Sequence, residues 1–135
     1  MLAAIELGRR TLTTQAAERI RLSTPLQLAS WLIPQFGAAR VEQFGIVMLD
    51  TRHALLQSRV VTTGSLDQTL VHPREVFRPA IIASATQIIV AHNHPSGVAS
   101  PSGADEHLTR LLQDALNLVD VRVLDHFIVA GLTEP

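Results

Sequence analysis

The sequence predicts an α/β fold, a mixed β-sheet flanked by helices. Three observations predict it. Four short runs rich in Ile, Val and Phe, at 43–50, 54–63, 87–91 and 121–130, read as strands. Between them lies helical spacing, clearest at Leu108, Leu111, Leu112, Ala115, Leu116 and Val119, which recur at i, i+3, i+4, i+7, i+8 and i+11. The first two runs are separated only by the polar turn Asp50-Thr51-Arg52-His53, which reads as an antiparallel hairpin, whereas helices separate the rest.

Taken in order, residues 2–20 read as a helix, with Leu2, Ala3 and Ile5 early and Leu12, Ala16 and Ile20 later. Thr24-Pro25 supplies an N-cap and a proline at the first helical position. The helix from Pro25 places Leu26, Ala29 and Leu32 on one face, and Pro34 and Gly37 end it. Gln43 to Leu49 is a strand, and Ala54 to Thr63 returns and closes at Gly64. His72-Pro73 starts another helix, continued by Arg74 to Ala85. Pro79 removes a backbone donor inside it, which predicts a kink or a frayed first turn. Gln87 to Ala91 is a short apolar strand of the kind buried on both faces. Residues 92–104 read as a loop with Pro95, Gly97, Pro101 and Gly103. A helix over 105–118 follows, expected to pack on the sheet through Leu108, Leu111, Leu112, Ala115 and Leu116. Val121 to Ala130 is the last strand, interrupted by the polar pair Asp125-His126. The organisation expected is an N-terminal helical arm, 1–40, and a domain over 41–135.

Composition removes several classes of function. With 47% hydrophobic and 17% charged residues, the 135-residue chain is neither a disordered tail nor a polar linker. It has no Cys, which excludes a disulfide framework, Cys-based zinc and iron–sulfur sites and a thiol nucleophile. A cytoplasmic location is expected. No apolar run reaches the ~18–20 residues that span a bilayer. Glu6 comes too early for a signal peptide, so no membrane association is expected. Every basic residue is Arg. Residues 1–40 carry net +3 and residues 41–135 net −4. The basic front suits either phosphate or an acidic partner, or a solvated helix face, and the acidic remainder is not by itself an electrostatic binder of nucleic acid.

The chemistry lies in His92-Asn93-His94-Pro95-Ser96-Gly97 and Pro101-Ser102-Gly103-Ala104-Asp105. His92 and His94 stand two apart at a strand end, so both imidazoles share a face and can meet at one point. A Gly- and Pro-containing loop can bring Asp105 to the same point. Two His nitrogens and one carboxylate leave the fourth position of a tetrahedral zinc ion open, the ligand count of a catalytic site. Each residue also has a plainer reading. Ser102-x-x-Asp105 has the form of a capping box, and a His pair at a strand end can be a polar pair of the loop. The string His-Asn-His is contiguous, unlike the dispersed residues of HNH nucleases. A zinc nucleobase deaminase would need His-x-Glu and Cys residues, which are absent.

The pattern His92-x-His94, seven residues, Ser102, two residues, Asp105 resembles the JAMM motif of the MPN/JAB metallopeptidase superfamily. VHPREVF (71–77), AHNHPSG (91–97), PSGAD (101–105) and LDHFIVAG (124–131) resemble the RadC-like proteins of bacteria, over roughly residues 40–131. The resemblance implies a cytidine-deaminase-like mixed sheet and zinc held by His92, His94 and Asp105. It implies a Glu as general base. Glu42, directly before the QFGIVML strand, matches best, and Glu75 is the alternative. For Glu42 the plain reading is an exposed strand-edge carboxylate, and for Glu75 a helix-dipole partner. Ser102 would donate to a tetrahedral oxyanion, or cap the helix, or both. Asp125 and His126 match the family's Asp-His pair, either as partners that orient a ligand or as a satisfied polar pair. The helix-hairpin-helix-like region that commonly opens RadC-like chains has no counterpart in residues 1–40, and a Gly-rich tail is not seen at 132–135. DNA binding is correspondingly weakened.

Three functions remain. The leading expectation is a zinc-dependent JAMM-type hydrolase of a peptide or isopeptide bond in a peptide or protein substrate. The second is a metal-dependent nuclease or DNA-repair factor, and the third a catalytically silent metal-binding module. The sequence names neither the substrate nor the oligomeric state.

Overall fold

A computed structural model of the chain describes residues 19–36, 40–64, 71–97 and 100–130. Residues 2–18 of the helix expected over 2–20 and the helix stop expected at Gly37 lie outside them, while Arg19 and Ile20 are described and are not helical. The described residues form α1 (Pro25–Phe36), β1 (Gln43–Leu49), β2 (Leu55–Thr63), α2 (Pro73–Ile82), β3 (Gln87–His94), α3 (Gly103–Asn117) and β4 (Arg122–Ala130). The four strands make one mixed sheet in the order β2-β1-β3-β4. β1 pairs antiparallel with β2 and β3, and β3 pairs parallel with β4. A parallel pair needs a crossover. Here α3 supplies it, so the helix must begin just past the end of β3. That connection places the start of α3 beside His92 and His94.

Two apolar layers sandwich the sheet. On one face Ile46, Met48, Ile88 and Val90 pack under α2 and α3, through Val76, Ala80, Leu108, Leu112 and Leu116. On the other face Val47, Leu49, Ile89 and Ala91 pack under α1, through Leu28, Leu32 and Phe36. The central strands β1 and β3 are therefore buried on both sides, which is why their sequences are nearly continuous in apolar residues. Residues 25–36, assigned by sequence to the arm, form part of this second layer.

Several local expectations need correction. β3 runs to His94, so residues 92–94 are strand rather than loop. Leu111 is exposed, because α3 buries the four-residue stripe Leu108, Leu112 and Leu116 and its flank faces water. Val119 lies beyond the helix and is also exposed. α1 buries Leu28, Leu32 and Phe36, not Leu26, which is 77% exposed. Pro34 does not end α1. The donor it lacks would serve the carbonyl of Ser30, which is exposed and open to water. The N-cap is as expected: Thr24 Oγ1 accepts from Gln27 N–H at 3.2 Å and Gln27 Oε1 accepts from Thr24 N–H at 3.1 Å.

Gly45 fixes the distance between α1 and the sheet. A Cβ at this position would stand 2.6 Å from Cζ of Phe36, a ring only 3% exposed and unable to swing away. Gly45→Ala should therefore destabilise the fold by ~1–3 kcal/mol, the usual cost of overpacking a core. Denaturant unfolding measures this, and the same substitution in a Phe36→Leu background should cost less. An equal cost in both backgrounds would show that the ring is not what the methyl meets.

Candidate metal centre

Alternation along β3 divides its last residues between the two faces. Ile88 and Val90 point into the α2/α3 layer, and His92 and His94 continue that row. The chain then returns to Ser102, the N-cap of α3. Ser102 Oγ accepts from Asp105 N–H at 3.1 Å, and Asp105 Oδ2 accepts from Ser102 N–H at 2.8 Å. This capping box holds the Asp105 carboxylate at the helix start and aims it at the strand end. Asp105 Oδ1 lies 3.2 Å from His92 Nδ1, and Oδ2 lies 3.5 Å from His94 Nε2. The two rings stand nearly perpendicular, 4.6 Å apart. The predicted residues His92, His94, Asp105 and Ser102 are thus brought together, with Asp105 between the two imidazoles.

Glu42 approaches from the start of β1. Its Oε2 lies 3.7 Å from His92 Nε2, and its side chain is 31% exposed. Asn93 holds the segment that carries it. Pointing away from the His pair and 1% exposed, Asn93 donates from Nδ2 to the Val41 carbonyl at 3.1 Å and accepts at Oδ1 from Gln43 N–H. Gly64 N–H donates to the Glu42 carbonyl at 2.7 Å. Glu75 is elsewhere, lining a separate cavity with Arg59 and Arg78.

His126 joins the centre from β4. Among the described residues, one ligand atom from each of His92, Asp105 and His126 lies within 4.8 Å of the others. A β-bulge makes this possible. Ile88 pairs with Val123 but Ile89 pairs with Asp125, so Leu124 is an extra residue. Val123 faces the α3 layer, Leu124 the α1 layer, and the shifted phase then turns His126 back toward α3. With regular pairing through Leu124, Asp125 would take that place. Asp125 is instead exposed, and its Oδ1 accepts from His126 N–H at 2.8 Å. A cavity of about 300 Å³ opens beside Asp105, Thr109, Arg110, His126 and Ile128. Sequence reasoning gave Asn93 no task and left His126 open between two roles. A polar His inside an apolar strand was the available signal for His126, but the bulge that aims it leaves no mark in composition.

Burial holds the pKa of His92 below the usual 6.5, with His94 adding to it, while Asp105 and Glu42 pull the other way. His126 is also lowered, first by burial, against the pull of Asp105. Burial alone would raise Asp105. The Ser102 hydrogen bonds and the neighbouring imidazoles more than offset it and hold the carboxyl below the usual 3.8. An ionised carboxylate only accepts, so His92 Nδ1 carries the proton of the Asp105 contact. His92 Nε2 then keeps a lone pair. It is buried and has no hydrogen-bond partner.

Comparison with known proteins gives one family. The family model described as the RadC-like JAB domain matches residues 22–133. A UPF0758 protein of Dechloromonas aromatica is 47% identical over 133 residues, covering 98% of this chain and 59% of that protein. A UPF0758 protein of Aromatoleum aromaticum is 46% identical over the same shares. One from Thermosynechococcus vestitus is 43% identical over 97% of this chain and 52% of its own. The chain thus spans between half and three-fifths of the length of these relatives.

The lowered pKa values set a pH dependence for the metal-free protein. Unfolded His92 and His126 take up protons near pH 6.5, but the folded chain resists doing so. Their contribution to stability is therefore complete above pH 6.5 and is lost as pH falls toward the lower folded values. In chelator, the melting temperature should be level from neutral to mildly alkaline pH and fall below pH 6.5. His126→Leu should make that fall shallower. A melting temperature that rises as pH drops through this range would contradict the burial of neutral imidazoles.

Proposed function

The chain belongs to the RadC-like JAB domain family, and from that premise we propose that it is a zinc-dependent hydrolase of peptide or isopeptide bonds. The observation that carries this reading is the bare lone pair of His92 Nε2, buried beside Asp105 and 3.7 Å from a second proton acceptor, Glu42 Oε2. Two acceptors facing each other in a buried site repel unless a cation or a proton donor joins them. An orphaned buried polar atom costs ~1–3 kcal/mol. A His/His/Asp donor set suits zinc. His92, His94 and Asp105 would hold the ion. When bound, zinc supplies a Lewis acid for a carbonyl and lowers the pKa of water toward ~7.

The residues around the centre divide the remaining work. Glu42 is open enough to meet solvent and lies beside His92, so its Oε2 would take the proton of the water that adds to the substrate carbonyl and return it to the amine nitrogen as the C–N bond breaks. Asn93 limits where that carboxylate goes, because it ties down the backbone on both sides of it. Ser102 caps α3, and in this reading it also serves the oxyanion. Its oxygen accepts from Asp105 N–H, which leaves its own hydroxyl hydrogen to donate to the substrate carbonyl oxygen as negative charge develops. In the metal-free chain Asp105 accepts from His92 Nδ1–H; as a ligand its carboxylate would leave that contact for the ion.

Glu42→Gln keeps the shape of the side chain but cannot take the proton. It should retain zinc stoichiometry and melting temperature, while hydrolysis of peptide or isopeptide substrates falls by ~10²–10⁴-fold. His92→Ala should lose metal and activity together. A screen in which the zinc-loaded protein nicks DNA but cleaves no peptide or isopeptide bond would contradict the proposal. So would full hydrolytic activity in Glu42→Gln.

A further inference from the structure

We infer that His126 is itself a metal ligand, so that the ion is gripped by β4 as well as by β3 and α3. Thr109 stands one helical turn after Asp105 and therefore on the same side of α3. Its hydroxyl donates to the Asp105 carbonyl at 2.8 Å. A carbonyl oxygen can only accept, so the single hydroxyl hydrogen is spent there. Thr109 Oγ1 also lies 2.6 Å from His126 Nδ1. With its hydrogen already used, the hydroxyl must accept in this second bond, and Nδ1 must carry the ring proton. The other nitrogen, Nε2, is then an unprotonated donor of electrons. It is buried and has no hydrogen-bond partner.

The ring is fixed from other sides as well. Phe44 of β1 meets it edge-on at 6.1 Å. The His92 ring lies 6.3 Å away. Asp105 and, more weakly, Asp125 supply negative charge around it. An imidazole whose Nδ1 is held by a neutral acceptor and whose Nε2 is bare is in the tautomer that ligates metals. Among the described residues no group uses that lone pair, and a cavity of about 300 Å³ opens beside His126 and Asp105. Imidazoles with one carboxylate fit a divalent transition ion of zinc type, not calcium or magnesium, which favour all-oxygen sets; with His126 beside His92, His94 and Asp105, the water of the proposed hydrolysis would enter as a fifth ligand.

The inference rests on the proposal that the centre binds a divalent ion, and the experiment separates the two. The intact chain, with isotope-labelled histidine nitrogens, is loaded with NMR-active cadmium as a zinc substitute. One-bond cadmium–nitrogen coupling reports each ligating nitrogen directly, without any assay of activity. The expected result is coupling to Nε2 of His126 as well as to His92. Thr109→Val removes the acceptor that fixes the tautomer. It should weaken cadmium binding by ~10–100-fold, the usual effect of losing a group that orients a ligand. The metal-free melting temperature of this variant shows that it is folded. Cadmium bound with coupling to His92 and His94 but none to His126 overturns this inference alone. No cadmium binding overturns it together with the reading on which it rests.

Discussion

The structure of this centre depends on one carboxylate. Asp105 closes the capping box of α3 with one oxygen and meets His92 with the other, so the start of the helix and the end of β3 share a side chain. The cap alone is worth ~0.5–2 kcal/mol. That amount does not explain burying an acid to 1% exposure beside three imidazoles. Metal binding by such donor sets reaches ~10–16 kcal/mol in structural zinc sites at neutral pH. In the proposed reading the ion would dominate and the cap would aim its ligand. Asp105 is also why the topology matters, since only a β3–α3–β4 crossover that starts at the strand end puts the first turn of a helix within reach of His92 and His94.

Much of this was legible in the sequence because it rests on local periodicity. The strand runs, the hairpin, the Thr24 and Ser102 caps and the four-residue rows of α3 each follow from spacing within a short window. The pair His92 and His94 followed from alternation, and Asp105 from its distance along the chain. The errors came where tertiary packing decides. Leu26 and Leu111 belong to apolar patterns but lie on flanks that no other layer covers. Residues 92–94 read as loop because their side chains are polar, yet their backbone is paired with Ile128, Val129 and Ala130 of β4. A polar strand end is what a site built on a sheet requires.

Asn93 and His126 show two further kinds of information that spacing does not carry. Asn93 lies between the two histidines but faces the other way, and its bonds reach fifty residues back to the backbone around Glu42. His126 depends on a single extra residue at Leu124, which changes the phase of β4 without changing its composition. The placement of both is set by contacts between distant segments. The sequence shows which residue types are present. The register of β3 against β1 and β4 shows what each of them touches.

The measurement that most directly tests this account is a zinc titration of Asp105→Asn beside the unsubstituted chain. The Asn carbonyl oxygen can still accept from Ser102 N–H, so the cap and the fold should survive, with a melting temperature close to that of the unsubstituted metal-free protein. Its amide is neutral and a poor zinc ligand, so zinc affinity should fall by at least ~100-fold. Undiminished zinc binding in a folded Asp105→Asn chain would show that Asp105 is only a helix cap, and the account would fail at its centre.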